Sequence, residues 1–302
     1  EVISMAKTAA AEGGRYISHM RSEDINIERA IDEIIQIGRE ANIPVQISHF
    51  KIAMVSKWGE SNSLLAKLEA ARAEGINITA DCYPYTMWSA TPRVLFPKKD
   101  FTNKASAYYA VHNLIDPDKS IITRFTPNIN FKVKSITEIG KMNNESPADA
   151  LLRIIRETDN DSSDANIIGV SMSEQDIVNF FKWSHTNICS DGADGGHPRG
   201  YGAFTRFLGR YVREQKIMPL ETAIYKMTGL SAEHVGIQNR GILVQGNFAD
   251  LVLFDPATVI DNSTISNPTA LSSGIKIVWV NGKIVYQNQQ ATKVYSGVLI
   301  KH

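Results

Sequence analysis

The chain has 302 residues, 43% hydrophobic and 21% charged, with 32 basic and 32 acidic side chains and so no net charge. That is ordinary globular composition. The lack of a basic excess argues against a nucleic-acid partner, and no apolar run reaches the eighteen or so residues of a membrane span. Two cysteines, Cys82 and Cys189, do not make a disulfide framework, and are expected to be reduced thiols in a cytoplasmic protein.

The opening Glu1-Val-Ile-Ser-Met-Ala-Lys reads as mid-helix, with neither an initiator Met nor a signal pattern, so an upstream segment is expected. Residues 15–19 (RYISH) predict a strand. Residues 24–41 predict a helix with Ile27, Ala30, Ile31, Ile34 and Ile35 on one face. A strand at 45–49 (VQISH) follows Pro44, then a helix near 61–74 and a strand at 76–82 that Pro84 ends. From 85 to 145 the pattern blurs into a helix near 103–114, a strand near 120–125 and a Lys/Asn-rich stretch. A helix at 147–157, a polar linker from Asp159 to Asp164 and a strand at 166–171 come next. Ser173 opens a helix with cap chemistry, a strand at 186–190 runs up to Asp191, and helices cover 202–214 and 219–229.

Strands alternating with helices predict parallel βα units. After about 240 short antiparallel strands take over, at 250–254 and 275–286, the second broken by the hairpin signal Asn281-Gly282. The expected fold is α/β: a partial, incomplete TIM-like (β/α) barrel in 1–238, with the C-terminal strands of a small β-sandwich domain in 239–302.

Three polar residues end predicted strands: His19, His49 and Asp191. In a βα barrel that edge is the active-site face. Two histidines from separate strands can share one metal there, and a carboxylate from a later strand can serve as general base. The bland alternative for each histidine is a strand-end ring bonded to backbone; their common Ile-Ser-His setting favours the pair as ligands. Lys51, two residues past His49, points to the same side if the strand continues, and suits a carboxylate-bearing substrate; otherwise it is a solvated lysine. Tyr83 and Ser89, in the aromatic stretch YPYTMWS, either donate hydrogen bonds to substrate or pack under a loop. The glycine-rich SDGADGGHPRGYG lacks the spacing of a phosphate cradle and, with His197 and Arg199 near Asp191, fits a catalytic loop better. No HExxH or GxSxG is present, so zincin and serine-hydrolase readings have no support.

The segments GGRYISHMRSED (13–24), VQISHFK (45–51), DCYPYT (81–86), CSDGADGGHPRGYGAFTRFLGRYVRE (189–214), MTGLSAEHVGI (227–237) and GILVQGNFADLVLFDPATVID (241–261) resemble the N-acyl-D-amino-acid deacylases (D-aminoacylases) of the amidohydrolase superfamily. The likeness runs in order along the chain and is weakest between 95 and 145. It implies zinc as cofactor, held by His19 and His49 with a cysteine of an upstream segment; neither that cysteine nor the family's His-x-His occurs here, and Cys82 is not its equivalent. It implies Asp191 as the catalytic base, and Lys51, Tyr83, Ser89 and Arg199 as contacts to the substrate carboxylate. The implied substrate is a small N-acyl-D-amino acid, split into a D-amino acid and a carboxylic acid. Two alternatives stay open: a cyclic-amide amidohydrolase of the dihydroorotase or hydantoinase kind, and an inactive fragment that keeps only the fold.

Overall fold

The computed structural model describes residues 1–158, 164–193 and 196–300. The chain begins with α1 (Val2–Ala11), β1 (Tyr16–Ser18), α2 (Ile27–Ala41), β2 (Val45–Ile47), α3 (Ser61–Ala73) and β3 (Ile78–Cys82). α2 buries its isoleucine face and stops at Asn42, whose φ of 49° is the left-handed conformation that ends many helices. The strands are short and two of them, β2 and β3, are buried throughout.

Next come β4 (Met87–Ala90), α4 (Lys104–Tyr109), β5 (Ile121–Phe125), β6 (Lys134–Ser135), α5 (Ile136–Met142), α6 (Pro147–Glu157) and β7 (Ala165–Val170). The chain then returns through α7 (Glu174–Lys182), β8 (Thr186–Ile188), α8 (Arg199–Arg206), α9 (Leu220–Met227) and α10 (Gly229–Val235). Ser173 caps α7 as its sequence suggests, its hydroxyl accepting from the Asp176 N–H. The tail holds β9 (Leu251–Phe254), β10 (Ile275–Val280), β11 (Lys283–Gln287) and β12 (Gln290–Ala291).

Three four-stranded sheets result. β1-β2-β3-β8 are parallel neighbours and form the partial (β/α) barrel. The tail sheet, β12-β11-β10-β9, is antiparallel, and Asn281 and Gly282 turn its hairpin with φ of 49° and 76°. The third sheet, β4-β7-β5-β6, is antiparallel as well, and here the sequence reading needs correction. The strand expected at 166–171 belongs not to the barrel but to this sheet, where Ile168 pairs with both Ser89 and Ile121. An apolar run such as ANIIGV suits either sheet, because burial on both faces removes the alternation that would tell them apart.

The third sheet has a core of its own, built from residues such as Leu95, Phe96, Val111, Phe125, Ile139, Leu151 and Ile167. It is a lobe inserted between β3 and α7. The barrel core is separate and includes Ile31, Ile47, Ile78, Phe180, Phe207 and Val259. The linker expected from Asp159 lies outside the described residues up to Asp164, as do residues 194–195 of the glycine-rich loop. Among the described residues no helix is long and apolar enough to cross a membrane.

Candidate metal centre and active site

β1 ends at Ser18, so His19 is the first residue past it. β2 ends at Ile47, and His49 lies two residues on with φ of 40°. That conformation costs a non-glycine residue roughly 1–2 kcal/mol, and the neighbouring strand holds it in place. The His49 N–H donates to Asp81 Oδ1 at 2.7 Å, while Asp81 Oδ2 accepts from Gln46 Nε2 at 2.6 Å. The turn brings His49 Nε2 within 3.1 Å of His19 Nδ1, with the rings edge to face.

A third donor was not foreseen. Glu23, in the loop after β1, puts Oε1 3.1 Å from His49 Nδ1 and 3.8 Å from His19 Nδ1. The donor atoms of His19, Glu23 and His49 all lie within 4.8 Å of one another, and neither cysteine joins this group. Burial works to raise the Glu23 pKa, but Lys51 and the two histidines outweigh it and hold the carboxyl at about 2. Burial lowers the pKa of His19, which favours the neutral imidazole that a metal needs. Two imidazoles and a carboxylate are a donor set of catalytic zinc sites that keep an open position, so these residues fit zinc. His49 Nδ1 faces both the Glu23 carboxylate and the Lys51 ammonium; donating to Glu23 leaves Nε2 bare toward His19, whereas accepting from Lys51 puts the proton on Nε2. A carboxylate behind a histidine ligand is the usual orienting partner.

Lys51 is buried, and its ammonium sits 2.6 Å from Glu23 Oε1 and 2.7 Å from His49 Nδ1. The alternation argument for Lys51 does not apply, because the strand stops at Ile47 and His49 turns left-handed. Lys51 reaches the histidine by folding back onto it. Asp191 follows β8 at the third residue with φ of 45°, and its Oδ2 is 2.8 Å from Arg199 Nη1. Its charge is felt at His19. The Arg199 guanidinium lies 4.6 Å over the Tyr83 ring. Arg199 Nη1 is held in the Asp191 ion pair, whereas the buried Arg199 Nε and Tyr83 hydroxyl have no hydrogen-bond partner among the described residues. Such groups are costly to leave unsatisfied.

His19, Glu23, His49, Lys51, Ser89, Asp191 and Arg199 line one cavity of about 910 Å³. Tyr83 sits beneath Arg199 and does not line the cavity. Ser89, on β4, accepts from Asn166 Nδ2 at 2.9 Å. The inserted lobe supplies an apolar wall of Trp88, Val94, Leu95, Pro97 and Leu114, which sequence reasoning did not assign to the site.

Residues 189–286 match the model of an amidohydrolase family. The chain is 35% identical to a D-aminoacylase of Alcaligenes xylosoxydans xylosoxydans over 98% of its own length and 57% of that protein's. It is also 35% identical to an N-acyl-D-glutamate deacylase of the same organism, over 95% of this chain and 54% of the relative. Its fold matches the crystal structure of an N-acyl-D-glutamate deacylase from Bordetella bronchiseptica, complexed with zinc and a phosphonate mimic of the tetrahedral intermediate. That match has a TM-score of 0.80 at 33% identity, over 96% of this chain and 56% of the other. The chain thus spans little more than half the length of the relatives it matches.

Proposed function

We infer that this chain belongs to the N-acyl-D-amino-acid deacylases of the amidohydrolase superfamily, to which it is similar in sequence and fold. From that premise we propose that it hydrolyses the amide bond of small N-acyl-D-amino acids, releasing a D-amino acid and a carboxylic acid. Zinc is the proposed cofactor, held by His19 and His49 with Glu23 beside them. When bound, zinc supplies Lewis acidity, polarising the amide carbonyl and acidifying water.

The remaining work falls to this chain's side chains. Asp191, at the head of its loop, accepts the proton of the attacking water and returns it to the leaving amine. Arg199 grips the substrate carboxylate, aided by Lys51 and Ser89, while Tyr83 supports the guanidinium from beneath. The buried Arg199 Nε, which has no hydrogen-bond partner among the described residues, supports that role, since a carboxylate would satisfy it. Holding the carbonyl, the carboxylate and the side chain at three points selects the D-configuration. The observation that carries the proposal is the meeting of His19, His49 and Asp191, from three strand ends, with Arg199 of α8 around one cavity. Residues 1–238, apart from the lobe inserted between β3 and α7, serve as the catalytic barrel and 239–302 as an accompanying β-domain. Two free cysteines suit the reducing cytoplasm.

The test is release of free amino acid from N-acetyl-D- and N-acetyl-L-amino acids by the purified protein, before and after chelation and zinc restoration. Turnover of the D-series that chelator abolishes and zinc restores is the expected result. Equal turnover of L-substrates, or hydrolysis confined to cyclic amides such as dihydroorotate, would overturn it.

A further inference from the structure

The loop after β8 is seated on the inserted lobe through one buried ring. His197 is 4% exposed. Its Nε2 lies 2.9 Å from the carbonyl of Met87, the first residue of β4. Its Nδ1 accepts from the N–H of Arg199 at 3.0 Å. Only a neutral imidazole with its proton on Nε2 makes both bonds, because Met87 offers an acceptor and Arg199 a donor. The ring meets Tyr85 edge-on at 5.3 Å and Tyr83 at 6.4 Å. Tyr83 is the ring that carries the Arg199 guanidinium. Next door, Gly196 has φ of 75°, and a side chain there would meet Thr123 of β5 at 3.5 Å, so the loop also runs close to the lobe at this point.

We propose that His197 is a positioning residue: it fixes Arg199 at the cavity and locks the Asp191 loop to the strand of the inserted lobe that carries Ser89. The proposal rests on the reading of Arg199 as the grip on the substrate carboxylate. His197 itself does not line the cavity, so its effect passes through Arg199. Burial and the Arg199 charge lower its pKa to about 3, so the ring keeps the required neutral form across the physiological range. A ring with one donor and one acceptor, both used, tolerates neither a cation nor the other tautomer.

Two variants separate its bonds. Asn keeps an acceptor where Nδ1 stands and loses the donor to Met87. Gln keeps a donor near Nε2 and loses the acceptor for the Arg199 N–H. His197→Gln should raise KM for an N-acetyl-D-amino acid by about tenfold or more while kcat changes little, the pattern of lost substrate binding. His197→Asn should recover most of that loss. Melting temperature and bound zinc identify any variant that has simply unfolded. Ring ¹⁵N NMR of the wild-type protein needs no turnover and should find His197 neutral with its proton on Nε2. A protonated ring, the Nδ1–H tautomer, or an unchanged KM in a folded His197→Gln would overturn the proposal. Arg199→Ala is the control: if it leaves KM unchanged, the assignment of the carboxylate grip fails, whereas a raised KM there beside an unchanged KM in His197→Gln condemns the His197 proposal alone.

Discussion

His49 and Asp191 share an unusual backbone: both are non-glycine residues in the left-handed region, and both stand just past barrel strands at the cavity. Such strain concentrates at functional sites because the surroundings over-determine it. Asn tolerates that conformation better than most residues, so Asp191→Asn should keep the fold and the bound zinc while losing the proton carrier. The expected fall in kcat is about 10²–10⁴-fold, checked by steady-state kinetics beside metal analysis; near-normal kcat would move the role elsewhere. Glu23 makes a pH prediction. Its folded pKa of about 2 lies below the usual carboxylate value, so it contributes stability that is fully present above the unfolded pKa and fades as pH falls toward 2. In chelator, Glu23→Gln should therefore lower the urea midpoint at pH 6 and have progressively less effect toward pH 3. An equal loss at both pH values would show that the carboxylate charge is not what matters. His19, His49 and Asp191 were legible in the sequence because each closes an apolar run. Glu23 was not, since it sits in a short loop where no periodicity assigns it a direction.

At the scale of elements, close packing of β4 on β7 shapes the cavity wall. Trp88 pairs with Gly169, and a Cβ on Gly169 would come within 2.3 Å of the indole. The indole N–H donates to Ser171 Oγ at 2.6 Å, so the ring has little freedom to yield. Gly169→Ala should destabilise the protein by about 1–3 kcal/mol through overpacking, read as a lower melting temperature. Because Trp88 also lines the cavity, affinity for bulky substrates should shift as well. Unchanged melting would mean that the two strands can part more easily than their pairing implies. Elements with strong local signals were the most legible: α2 with its isoleucine stripe, α7 with its Ser173 cap, and the Asn281-Gly282 hairpin. The inserted lobe was not, because choosing a sheet for β7 is a question of distant partners, and a buried strand reads the same in either.

For the molecule as a whole, two separate cores mean two units that can lose structure separately. Leu151 is fully buried in the core of the inserted lobe. Leu151→Ala should cost about 2–5 kcal/mol, and hydrogen exchange should speed up in α6, β5 and β7 before it does in β2 and β3. Uniform acceleration across both regions would show that they unfold as one. The register of β3 against β8, Asp81 opposite Asn187, spans the entire inserted lobe. Closing so long a loop adds little to the equilibrium cost, because that entropy grows only as the logarithm of length. Its effect on rate is larger, since distant pairings form slowly. During synthesis, β3 must wait for its β8 partner until the ribosome has made residues 83–185 and delivered the strand that leads to Asp191. The proposed site is thus completed only after the inserted lobe has been made, and a nascent chain stalled before that point would carry His19 and His49 without Asp191.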